Sequence, residues 1–331
     1  MSEPIIQLRP EGLYCARGDF YIDPWRPVAR AVITHGHADH ARSGSGVYHA
    51  SRAGLSLLNH RLGATALVHP HAYGEQFVLG DACVSLHPAG HILGSAQVRV
   101  EVDGEVWVVT GDYKREADPT CAAFTPIPCD TLITEATFAL PCYRWEPMER
   151  TVSALLAWWE QCARERVPAV LYAYALGKAQ RLLAELALRV QRPVYLHGAM
   201  VPLVELYRAE GIALPDTPAV SEQARSREYA GELILAPPSA AGSPWMKRFA
   251  GASTAFASGW MLIRGNRRRR GYDRGFAVSD HADWPALIRS IRESGARRVW
   301  ATHGSTEALV AWLREQGIDA QALRTELGGE H

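Results

Sequence analysis

Short apolar runs separated by turn residues fill the first part of the chain. YCAR and FYID flank Gly18-Asp19, and VARAVIT, ACVSLH, VRVEVDGEVWVV and TLIT follow, each read as a strand, with Asp103-Gly104 as a hairpin turn in the longest. One helix is predicted after Ser51, with Leu55, Leu58 and Leu62 on one face. From about residue 147 the period changes. MERTVSALLAWWEQCARER, KAQRLLAELALRV and VPLVELYRAE read as helices, while AVLYAYA, VYLH, ELILAP and TAFASGW read as strands, an alternation that predicts parallel βαβ units. After an arginine-rich stretch, FAVSDH and RRVWATHG return to the earlier pattern, with a helix around PALIRSIRESG between them. The middle of the chain thus reads as an insertion: residues 1–142 and 262–331 form one domain and 143–261 another, in an α/β protein.

The 331 residues are 47% hydrophobic and 21% charged, which suits a soluble globular protein of two domains. The formal charge is zero, so no overall positive field exists and any polyanion must meet a local patch. The six cysteines show no CxxC spacing, which argues against a zinc ribbon and for reduced thiols. The amino terminus lacks an apolar signal core and no apolar run is long enough to span a bilayer, so no membrane association is expected and the cytoplasm is the expected location.

Candidate chemistry concentrates in Thr34-His35-Gly36-His37-Ala38-Asp39-His40, directly after a predicted strand. On an extended strand His35 and His37 would share one side, and a turn at Gly36–Ala38 would gather Asp39 and His40 nearby. Imidazole and carboxylate together suit zinc, with manganese or iron as alternatives. A histidine-rich polar loop is the competing reading. Five further apolar runs each end in an ionisable residue, His91, Asp112, Glu135, His281 and His303, as expected where strand ends converge on one site. His49, His60, His69, His71, His87, His197 and His331 lack that grouping and read as structural or surface residues. The dense basic run Arg264, Arg267, Arg268, Arg269, Arg270 and Arg274 could grip phosphates beside His281, or be a solvated loop. Gly177-Lys178 before a predicted helix could add an anion site.

These residues in this order, with Asp23 in YIDP, resemble the motif set of metallo-β-lactamase-fold nucleases carrying a β-CASP insertion. GDYKREADPT, LAPPSA, SGWM and GFAVSDHADW are most similar to the bacterial DNA ligase-associated exonucleases. The resemblance implies an αββα sandwich with an inserted α/β domain and two divalent metal ions, zinc or manganese. His35, His37 and His91 would bind one ion, Asp39, His40 and His303 the other, and Asp112 both. His281 would be the general acid, oriented by Glu135. It further implies a DNA exonuclease in repair, with a DNA ligase and a helicase as partners. His303 is a departure from the eukaryotic crosslink-repair nucleases, which carry valine there, and matches RNA-cleaving relatives such as ribonuclease J, so RNA is the alternative substrate. A small thioester or lactam hydrolase and an inactive nucleic-acid-binding subunit are the other readings. The long insertion disfavours the first and the complete ligand set the second.

Overall fold

The computed structural model describes residues 3–263, 265 and 271–326, and the chain divides into two compact units, Met1–Arg144 with His281–His331, and Trp145–Asp280. Two sheets build the first unit. One runs in chain order through β1 (Ile6–Arg9), β2 (Gly12–Cys15), β3 (Phe20–Ile22), β4 (Arg30–Val32), β5 (Val47–Ser51) and β6 (Val68–His71). The other has the order β18 (Asp319–Ala322), β17 (Arg298–Gly304), β11 (Thr131–Ala136), β10 (Glu105–Val109), β9 (Ala96–Val102), β8 (Ala82–Pro88), β7 (Gln76–Leu79). Alternation does the sorting. In β9, Val98, Val100 and Val102 are buried while Arg99 and Glu101 are partly exposed, so one face is committed to the core. Asp103 and Gly104 both take positive φ (52° and 83°), the backbone of a tight turn joining β9 to β10.

Leu13, Phe20, Ile22 and Val32 of the first sheet meet Val84, Leu86, Val98 and Trp107 of the second in one apolar core. The other side of the first sheet packs Ala31, Ile33, Tyr48 and Ala50 on Leu58 of α1 (Leu55–Leu62). Leu57 and Leu58 are the buried residues of that helix, and Leu55 and Leu62 are only half-buried, because a short 3-10 turn capped by Ser51 resets the helix phase. On the second sheet, Val108, Leu132, Val299 and Ala301 pack against α5 (Trp284–Ser294) and α6 (Thr306–Glu315) through Leu287, Ile291, Leu309 and Leu313. The unit is thus layered helix, sheet, sheet, helices.

The second unit is a five-stranded parallel sheet of order β13 (Val194–Leu196), β14 (Leu233–Ala236), β12 (Ala169–Tyr172), β15 (Ser253–Ala257), β16 (Arg274–Phe276). Strands β12 and β14 are buried at every position, as parallel strands covered on both faces require. The helices α2 (Met148–Glu165) and α3 (Lys178–Ala187) seat Leu155, Trp159, Leu182 and Leu186 on that sheet, and α4 (Val201–Ala209) adds Val204.

The return to the first unit falls at His281, not at residue 262 as the sequence pattern suggests. FAV does not open a strand of the first unit, because β16 pairs with β15 through Ala257↔Phe276 inside the second. So short an apolar run carries no mark of which sheet it will join.

Candidate metal centre

The segment after β4 is a turn, not a strand. The N–H groups of His40 and Ala41 donate to the His37 carbonyl at 3.2 and 2.8 Å, and this curl brings His35, His37 and His40 to one place. His35 Nε2 lies 3.0 Å from His37 Nδ1, and His91 Nε2 lies 3.1 Å from the same atom. Asp112 Oδ2 closes the group at 3.6 Å from His35 Nε2 and 3.7 Å from His91 Nε2. That oxygen is also 3.5 Å from His40 Nε2, which lies 3.7 Å from Asp39 Oδ2, while Asp112 Oδ1 is 2.8 Å from His303 Nε2. His35, His37, His91, His40 and His303 therefore gather around the Asp112 carboxylate, and Asp39 adjoins them through His40.

Hydrogen bonding fixes which nitrogen of each ring faces the cluster. Thr34 Oγ1 donates to Asp23 Oδ2 at 2.5 Å, so it must accept from His35 Nδ1 at 3.0 Å, and His35 Nε2 faces the cluster without a proton. Asp23 Oδ2 also accepts from His40 Nδ1 at 2.8 Å. His40 Nε2 is buried with no hydrogen-bond partner. Thr302 repeats the device: its hydroxyl donates to the Thr134 carbonyl and accepts from His303 Nδ1 at 2.9 Å, which turns a bare Nε2 onto a carboxylate oxygen. Bare nitrogens converging on one another and on a carboxylate repel unless a cation sits among them.

The spacing fits a transition-metal ion. Tetrahedral ligands with bonds of about 2.0–2.1 Å stand about 3.3–3.4 Å apart, and the edges from 3.0 to 3.7 Å bracket that value. The electrostatics agree. Burial, with His40 and His91 close by, holds His35 well below the ordinary histidine range, so it stays neutral and ready to ligate. Burial would also push His40 down, but Asp112 and Asp23 outweigh it and hold it well above the usual value. The pocket thus favours positive charge at His40 Nε2. Against the burial that would raise it, the charge of His40 and His281 keeps Asp112 ionised, well below the usual carboxylate range. His37 and Asp39 are partly exposed, whereas the His303 side chain is only 5% exposed.

Backbone geometry supports the arrangement. Asp23 and His303 are non-glycine residues at φ 43° and 28°, a strained conformation of the kind found at functional sites. A Cβ on Gly111 (φ 56°) would come within 2.7 Å of the Thr34 side chain, so only glycine lets the loop carrying Asp112 lie against the Asp23–Thr34 pair.

His281 and Glu135 form a second, adjoining feature. His281 Nδ1 is 2.8 Å from Glu135 Oε2, and both residues are buried. Glu135, His281 and Asp112 also bring ligand atoms within 4.8 Å of one another. Both Glu135 oxygens are already committed, however, since Oε1 accepts the Tyr113 N–H at 2.7 Å, so this carboxylate is better placed to hold the imidazole than a metal.

Two sequence expectations fare differently. Lys178 is no surface anion site: it is fully buried, with its ammonium 2.8 Å from Asp280 Oδ1 and 4.8 Å from the Tyr174 ring centroid, so its charge is already neutralised. The sequence showed a lysine at a helix start but not the aspartate that pairs with it about a hundred residues on. Arg264, Arg267, Arg268, Arg269 and Arg270 lie outside the described residues. The sequence reading also passed over Thr34 and Thr302 as ring-orienting partners. The repeated tripeptide Thr-His-Gly at 34–36 and 302–304 was the signal that could have found them.

The first unit thus combines two layered sheets with a buried histidine–aspartate cluster that could hold a metal ion. No protein-family profile matches the chain. A probable DNA ligase of Opitutus terrae is 34% identical over 325 residues, 94% of this chain. A ribonuclease of Thermus thermophilus is 27% identical over 57% of it, and an endoribonuclease of Neurospora crassa 31% over 34% of it. The chain spans 30%, 47% and 13% of those relatives' lengths. A solved structure of a protein of unknown function from Enterococcus faecalis shares the fold over 90% of this chain and 80% of its own, with a TM-score of 0.62 at 13% identity. The chain belongs to the β-CASP family of metallo-β-lactamase-fold proteins.

Proposed function

We propose that the chain is a nuclease that hydrolyses phosphodiester bonds with the help of two divalent metal ions, acting on DNA as an exonuclease alongside a ligase. The observation that carries it is the approach of His35, His91, His40 and His303 to the Asp112 carboxylate, which we read as two ligand groups sharing Asp112: His35, His37 and His91 on one side, His40, Asp39 and His303 on the other. The metallo-β-lactamase sandwich accounts for the layering of the first unit, and the parallel sheet of the second is read as the β-CASP insertion.

Two bound ions would supply an activated water and neutralise a phosphate oxygen. The chain's own residues do the rest. Asp23 and Thr34 fix the proton on Nδ1 of His40 and His35, and Thr302 does so for His303, so the opposite nitrogens face inward before any ion arrives. Glu135 accepts from His281 Nδ1 and stabilises the imidazolium, which leaves Nε2–H to protonate the departing oxygen.

DNA is favoured over RNA because the relative aligned along nearly the whole chain is named a probable DNA ligase, whereas the relatives named ribonucleases match shorter parts. Incubation with end-labelled single-stranded DNA and RNA of matched sequence tests this reading. A ladder shortening from one end of the DNA is expected. Preferential internal cleavage of the RNA would replace DNA exonuclease by RNA endonuclease.

A further inference from the structure

Helices α5 and α6 of the first unit border a surface groove of ≈ 370 Å³ that the catalytic reading does not use. Its floor is Trp284, Ile288 and Trp312, the two indoles meeting edge to face with centroids 5.8 Å apart. Trp312 is partly exposed, and the Arg292 guanidinium lies 5.7 Å from its ring centroid. Arg144, Arg289 and Glu293 complete the rim. The one carboxylate is doubly satisfied, by Arg115 at 2.6 Å and Arg289 at 2.7 Å. Arg144 and Arg292 have no acidic partner among the described residues. The groove lining thus holds three guanidinium groups and one carboxylate, and that carboxylate is already paired, on a chain whose formal charge is zero.

We propose that this groove is an accessory binding site for single-stranded nucleic acid, holding the part of the strand that lies away from the reactive centre. The inference rests on the nuclease reading for its biological sense, though not for its chemistry. An indole face accepts any base by stacking, and arginines beside it hold the backbone phosphates and add cation–π contact to the bases. An apolar floor alone would suit a peptide, but the excess of guanidinium groups selects a polyanion that carries flat rings. Placement is consistent. Trp284 opens α5 only three residues beyond His281, and Arg292 lies about 12 Å further along the same helix, so the groove extends away from the acid.

The test uses the full chain and a fluorescently labelled twelve-nucleotide single strand, with binding followed by anisotropy across a salt series and chelator added to prevent turnover. Arg144→Gln with Arg292→Gln should weaken binding about tenfold and lower the salt slope by about 1.4, since each single-strand phosphate contact contributes about 0.7. Trp312→Ala should weaken it about fivefold or more through lost stacking. Because Trp312→Ala also removes packing against Trp284, its melting temperature is measured, and the arginine pair decides if it unfolds. With metal restored, the ratio of oligonucleotide to bis(p-nitrophenyl) phosphate turnover should fall about tenfold in the arginine pair. Unchanged affinity and salt slope in that pair, or no oligonucleotide binding by the parent, would overturn the proposal. Weakened binding in a chain that cleaves no phosphodiester would keep the groove and remove the nuclease reading instead.

Discussion

The carboxylate of Glu135 joins His281 to the loop of Asp112: one oxygen takes the His281 Nδ1 proton at 2.8 Å and the other takes the N–H of Tyr113, the next residue after Asp112. The Tyr113 carbonyl in turn accepts the Ala282 N–H at 2.7 Å. His281 and the loop of Asp112 are therefore tied together twice, once through the Glu135 side chain and once through backbone.

His281→Ala should keep the metal complement of the parent and slow cleavage by about 10² to 10⁴, the range for a lost general acid. The loss should shrink on a nitrophenyl phosphodiester, whose leaving phenolate needs little protonation. Glu135→Gln should give a milder form of the same pattern. Metal analysis and rates on the two substrates check this, and equal losses on both would remove His281 from acid catalysis.

Asp112→Ala should lower the occupancy of both metal positions, while His303→Ala should mainly empty one, because Asp112 faces imidazoles of both proposed groups. Elemental analysis of the two variants distinguishes these outcomes. Equal mild effects would contradict the shared role.

Asp23→Asn removes the acceptor that fixes the tautomers of His40 and, through Thr34, His35. It should weaken metal affinity about 10- to 100-fold without touching a ligand. A competitive chelator titration reads the change. The pH dependence of affinity should flatten too. In the parent, metal must displace a proton from His40, whose carboxylate neighbours hold it well above its usual value, so affinity should rise with pH through neutrality.

A separate pH effect should come from His49. Burial, with His71 and His69 beside it, lowers this imidazole to about 4. Its rings stack with those of His71 and Phe77. The unfolded chain takes up this proton below about 6.5, and the folded one refuses it until about 4. Its contribution is flat above 6.5 and costs stability progressively as pH falls from 6.5 to 4. Thermal melting across that range should show a shallower slope in His49→Gln than in the parent.

The convergence of these side chains is legible in the sequence because each follows an apolar run and so sits near a strand end: Asp112 after β10, Glu135 within β11, His303 within β17. The βαβ alternation of the second unit was legible for the same reason, since its buried strands are uniformly apolar. Strands β5 to β7 were not read. VYHAS and VHPH carry histidine, and VHPH also proline, within short runs, QFVL is only four residues long, and their pairing partners are set by tertiary contact. The roles of Asp23, Thr34 and Thr302 were hidden because they depend on hydrogen bonds between loops, which no periodicity records.

If two metal ions held around Asp112 make this chain a phosphodiesterase, metal reconstitution should restore its cleavage. Protein stripped by chelation should cleave neither DNA nor RNA, and stepwise addition of zinc or manganese should restore cleavage with a break at about two equivalents per chain. Cleavage that persists in fully stripped protein, or fails to appear after two equivalents are bound, would contradict the account.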